Sequence, residues 1–142
     1  MNVNASAPVW HVIAIVVARL IFAGLFAMAA FFKFADMNGT AGYIASAGFP
    51  LPLLLAWLAA FFETALALCF LTGAFFTEAS LLAALYVVFL AFAFHGPAHW
   101  EGNQAEFGFF VDHFTFLAGL LLAAAHGPGR RWALSWALIA RA

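Results

Sequence analysis

Residues 50–72, PLPLLLAWLAAFFETALALCFLT, leave this chain little choice of solvent. The run is long enough to cross a bilayer, because ~20 apolar residues at ~1.5 Å each cover the ~30 Å hydrocarbon core. Its one ionisable residue is Glu63. A carboxylate near the middle of a span is costly in lipid unless another side chain meets it. Which residue does so bears directly on function.

Three further apolar runs, about 9–34, 78–94 and 107–125, complete a set of four spans. Only 8% of the 142 residues are charged and 68% are hydrophobic, against roughly a quarter charged in soluble domains. The chain reads as one transmembrane domain over 1–142, with no room for a water-soluble domain of useful size. The first run is expected to be a retained span rather than a cleaved leader, since no Lys or Arg precedes Val9 and Arg19 interrupts the apolar stretch. No basic cluster suggests nucleic acid. Cys69 is the only cysteine and reads as a small hydrophobe within a span.

The links between the runs set the topology. Asp36-Met37-Asn38-Gly39 ends the first span, and residues 40–47 (TAGYIASA) are too short to cross, so a surface helix is expected there. Gly48 stops that helix, and Pro50 and Pro52 start the second span, where a missing N–H has no intrahelical partner. Only a few residues separate spans two and three, which makes them antiparallel neighbours. Residues 96–106 (GPAHWEGNQAE) form a polar loop. Residues 130–141 carry Trp132, Trp136 and Ile139 on one helical side with Arg at both ends, the pattern of an interfacial helix. The expected fold is an all-α antiparallel four-helix transmembrane bundle with one surface helix and one interfacial C-terminal helix. Arg130, Arg131 and Arg141 share one face of the membrane, called side A, with both termini. The positive-inside rule then makes side A cytoplasmic and puts the 96–106 loop on side B, outside.

Arg19 lies ten residues into the first span and Glu63 nine residues from the end of the second. At ~1.5 Å per residue both sit ~14 Å below side A, so an intramembrane Arg19–Glu63 ion pair is expected. Such a pair either fixes helix register or forms a polar spot in a ligand cavity. Lys33 falls within ~40° of the helical face of Arg19, and either snorkels to the side-B interface or faces the mouth of the bundle there. His95, Asp112 and His113 reach the same level, with His99, Glu101 and Glu106 nearby. Lys33, His95, Asp112 and His113 are therefore the candidate ligand site, able to hydrogen-bond a headgroup or relay protons. Their spacing is not that of a metal site, and none is assigned. A Gly-rich phosphate loop, a nucleophile elbow and a CxxC motif are all absent from the sequence.

The order of motifs resembles the DoxX family of small four-helix bacterial membrane proteins over nearly the whole chain. The resemblance rests on Arg19-Leu20, Phe32-Lys33-Phe34, the 43–52 block YIASAGFPLP, Ala56-Trp57-Leu58 with Glu63, the 71–77 block LTGAFFT, Phe94-His95 and Gly127-Pro128-Gly129-Arg130. The chain departs from the family pattern at two points. Trp132-Ala133-Leu134-Ser135 stands where family members often have Ser-Leu-Asp, and Asp112-His113 where they often have Lys-Asn. No family role is carried to those positions. The resemblance implies a bacterial inner-membrane location and a link to redox physiology. Some members resemble membrane subunits of a thiosulfate:quinone oxidoreductase, and thiosulfate oxidation itself is not legible in this chain. The expected function is a membrane subunit of an oxidoreductase system contacting a quinone or similar lipophilic molecule, with protein partners in a complex and no covalently bound cofactor. A non-catalytic anchor or assembly subunit is the alternative, and whether the chain is itself an enzyme stays open. A monomeric transporter fits less well, because four helices carry no internal repeat.

Overall fold

A computed structural model describes residues 8–130, 132–134 and 136–139. The described residues form five α-helices, α1 (Val9–Ala35), α2 (Met37–Ser46), α3 (Pro52–Thr72), α4 (Phe76–His95) and α5 (Gln104–His126), with a 3₁₀ turn at Pro97–His99. No strand occurs among the described residues. Four of the helices, all but α2, are long and apolar enough to cross a membrane. The expected four-helix transmembrane architecture is therefore the one found.

Local chemistry explains the boundaries. The Asp36 carboxylate accepts from the Gly39 backbone N–H at 2.8 Å, satisfying one of the free donors of a helix start. The surface helix therefore begins at Met37, three residues earlier than the pattern suggested. Leu51 takes a left-handed conformation (φ 52°) immediately before Pro52, the first residue of α3. At the other end Gly73 (φ 77°) closes α3, its N–H donating to the Cys69 carbonyl. A side chain at Gly73 would be strained by that φ and would also meet the Ala133 Cβ at 2.8 Å. Glycine is required there on both counts.

α1 lies along α3 and α4 along α5, whereas α1 and α5 make no close backbone approach among the described residues. Two helix pairs thus face each other. On the side-A half they are joined by a buried cluster that includes Phe26, Leu66, Phe70, Phe76, Val87 and Leu120. Phe70 stacks on Phe26 at 5.7 Å and meets Phe76 edge-on at 5.4 Å. On the side-B half the pairs diverge, and α2 lies across the opening.

The tail departs from expectation. The interfacial helix over 130–141 falls partly outside the described residues, and those described, 132–134 and 136–139, are not helical. They run as a strap over the α3–α4 turn. Leu134 N–H donates to the Thr72 carbonyl at 3.0 Å, and the Trp136 carbonyl accepts from Phe75 N–H at 2.7 Å. The Leu138 and Ile139 N–H groups donate to the Glu78 carboxylate. These bonds satisfy open groups at the end of α3 and the start of α4. The same tail groups are then unavailable for a helix, and Gly127-Pro128-Gly129 prevents α5 from continuing into one.

Candidate functional site

Glu63 is 2% exposed, and its partner is not Arg19. Lys33 Nζ lies 2.8 Å from both carboxylate oxygens, and the Tyr86 hydroxyl donates to Oε1 at 2.8 Å. The expected Arg19–Glu63 pair is thus replaced by a Lys33–Glu63–Tyr86 triad. Among the described residues Arg19 instead donates to four backbone carbonyls. Its Nε meets Phe70 O at 3.2 Å, and Nη1 meets Pro128 O at 3.3 Å. Nη2 meets Leu71 O at 2.8 Å and Trp132 O at 2.9 Å. The depth count failed because it set Val9 level with Thr72. In the fold Arg19 is level with the last turn of α3, and residues 9–18 of α1 project beyond it. Lys33, fourteen residues or ~21 Å further along α1, reaches back toward its own helix N-terminus as helical side chains do. That puts its ammonium at Glu63.

Tyr86 was not anticipated, although the signal was present. Glu63 lies nine residues before the α3–α4 turn and Tyr86 ten residues after the start of α4. Counts from a shared turn that differ by only one residue give nearly equal depth on antiparallel helices.

Above the triad, where the helix pairs diverge, is a cavity of about 1070 Å³. Its wall is mainly apolar and aromatic, with Phe32 from α1, Leu58 and Phe62 from α3, and Phe89 and Phe94 from α4. Lys33, Asp36, Thr40, Tyr43, Tyr86, His95 and His113 supply its polar atoms. Apolar walls with few polar groups characterise small-molecule sites. The α2 helix covers the side-B opening, where Tyr43 stacks on Phe94 at 5.1 Å. Burial, and secondarily the Glu106 carboxylate, pushes the Tyr43 hydroxyl above its usual range. Tyr43 therefore stays protonated at neutral pH and can donate.

Three of the four expected ligand-site residues, Lys33, His95 and His113, come together on this cavity. Asp112 does not: it is exposed and absent from the wall, because neighbours on a helix point ~100° apart and His113 takes the inward position. His95 has a partner from the next helix, with Nδ1 2.6 Å from Glu106 Oε2. His113 Nδ1 bonds its own helix at the Phe109 carbonyl, 2.7 Å away. Among the described residues no three His, Cys, Asp or Glu side chains are grouped to hold a metal ion.

The charges on the wall argue about the occupant. Lys33 is neutralised by Glu63 beneath it, and Asp36 adds a further carboxylate. An anionic headgroup would meet no uncompensated cation here. A neutral headgroup with oxygen acceptors would meet donors from Lys33 and Tyr43.

Comparison with known proteins agrees with this architecture. The DoxX family model matches residues 14–96. The inner membrane protein YphA of Escherichia coli (strain K12) is 31% identical over 120 residues, covering 81% of this chain and 84% of that protein. No solved structure matches.

Proposed function

This chain belongs to the DoxX family, and on that footing we propose that it is an inner-membrane subunit of an oxidoreductase system that holds a quinone or similar lipophilic carbonyl compound. The observation that carries the reading is the cavity of about 1070 Å³, apolar on most of its wall, with Lys33 at its floor and Tyr43 at its mouth. A quinone ring needs an apolar slot for its tail and donors for its carbonyls. Glu63 and Tyr86 hold the Lys33 ammonium in place within the span, so the donor is preorganised. The rival reading, an anchor or assembly subunit, has one observation in its favour. A shallow groove on the outer face of α1 and α3, lined by Ala23, Gly24, Ala27 and Ala67 among others, has the small residues that let transmembrane helices pack closely.

Two experiments separate these readings. Purified from native membranes, the wild-type chain is expected to carry extractable quinone, and Ala59→Trp, which fills the cavity from α3, is expected to lose most of it. Wild type without quinone, or Ala59→Trp with an unchanged load, leaves the anchor reading standing. Affinity purification in the same preparation identifies protein partners.

The arginine distribution supports a cytoplasmic location for both termini. In a Cys69→Ala background, Asn103→Cys on the α4–α5 loop is expected to react with an impermeant maleimide in intact spheroplasts. His126→Cys, at the other end of α5, is expected to react only after lysis. The opposite pattern would invert the orientation.

A further inference from the structure

His95, on the cavity wall, and its partner Glu106 carry chemistry that the reading above does not use. We propose that the His95–Glu106 pair makes the cavity distinguish a carbonyl headgroup from a hydroxyl one according to pH. The inference rests on the cavity being a quinone site and adds which redox form it prefers.

His95 is the last residue of α4 and Glu106 lies in the first turn of α5. Their side chains are 18% and 23% exposed. The Trp100 indole N–H donates to the His95 carbonyl at 2.8 Å, and the Phe109 ring lies 5.4 Å from the imidazole. The imidazole is thus held in place while forming part of the cavity wall. An ionised carboxylate only accepts, so Glu106 keeps a proton on Nδ1 whether the ring is neutral or charged. The proton that comes and goes is therefore the one on Nε2, for which no partner occurs among the described residues. Neutral His95 presents Nε2 as an acceptor, and protonated His95 presents it as a donor.

A quinone carbonyl only accepts, and so binds the protonated ring. A hydroquinone hydroxyl donates to the neutral ring and can also accept from the charged one. Raising the pH consequently removes one of the quinone's donors, leaving those of Lys33 and Tyr43, while the hydroquinone keeps His95 as a partner. Other titratable groups face the same space: Lys33 on α1, Asp36 at the α1–α2 junction, Tyr43 on α2, Tyr86 on α4 and His113 on α5, with Glu63 of α3 bound to Lys33. Among them His113 is the other imidazole, its ring 5.2 Å from that of His95. Its Nδ1 faces a neutral carbonyl instead of a carboxylate.

The test measures dissociation constants of a decyl-tailed benzoquinone and of its hydroquinone for the full chain in nanodiscs, from about pH 5.5 to about pH 8. In wild type the ratio of quinone to hydroquinone affinity is expected to fall with pH, by no more than about tenfold per unit, the limit for one linked proton. In His95→Gln, whose amide both donates and accepts, the ratio is expected to stay within about twofold across the range. His113→Gln, which removes the ring 5.2 Å from that of His95, is measured alongside, and Asp112→Asn, exposed and off the cavity wall, is expected to keep the wild-type slope. Glu106→Leu releases the neutral ring to carry its hydrogen on Nε2, so quinone binding at high pH is expected to exceed that of wild type. A merely structural Glu106 gives no such gain. A flat ratio in wild type, a slope retained in His95→Gln, or a slope lost only in His113→Gln overturns the inference while leaving the quinone site intact. A wild-type chain that binds neither probe removes both.

Discussion

Lys33→Met is expected to lower the unfolding free energy by about 3–5 kcal/mol, the loss typical when one partner of a buried ion pair is removed. The Glu63 carboxylate, 2% exposed, would keep only the Tyr86 hydroxyl. The reverse change, Glu63→Gln, is expected to cost less, about 1–2 kcal/mol. Its amide still bonds Tyr86, and the Lys33 side chain, 22% exposed, can swing toward side-B water. Lys33→Met with Glu63→Leu is expected to be less destabilised than Lys33→Met alone, since no charge is stranded. Unfolding in mixed micelles, followed by helical circular dichroism, gives these three values and that of Glu63→Leu alone, which closes the cycle. Additive losses would show that the two residues act separately.

Arg19→Leu is the second large effect, and its signature is spatial. The guanidinium ties the last turn of α3, through Phe70 and Leu71, to the tail, through Pro128 and Trp132. Removing a charged donor from several acceptors is expected to cost about 2–4 kcal/mol. Arg19→Lys is expected to recover less than half of the loss. A single ammonium cannot reproduce a planar fork that addresses two chain segments at once. Hydrogen exchange gives the local reading. The Leu134 amide, bonded to Thr72, and the Phe75 amide, bonded to Trp136, are expected to exchange much faster in Arg19→Leu than amides in the middle of α3. Unchanged protection at those two amides would mean that the strap holds without Arg19.

Arg19 and Glu63 also mark where the sequence stopped being sufficient. Both looked buried and in need of partners, and both are partnered. The assignment of partners went wrong because depth was counted from helix ends, and α1, at 27 residues against 21 for α3, has an end that projects beyond the bundle. A sequence gives rise per residue but not the offset between two helices. That offset is set by packing, here Phe22 and Phe26 against Phe70. The tail failed differently. Its Trp and Arg spacing fits a helix, but the start of α4 and the end of α3 compete for its backbone groups, and that competition exists only after the bundle forms.

Composition and run length alone required a membrane, four crossings and a carboxylate in need of a partner, because lipid tolerates neither unpaired backbone nor an unmet charge. The order of short motifs was enough to indicate the family. Tertiary structure decided that Lys33 and Tyr86 meet Glu63, that Asp112 faces away, and that His95 and His113 share a wall with them. It also decided that a cavity exists at all. Four apolar helices can close completely or diverge at one end, and the same residues satisfy either pattern. Only the packed structure shows the side-A end filled by Phe26, Phe70 and Phe76 and a cavity left toward side B.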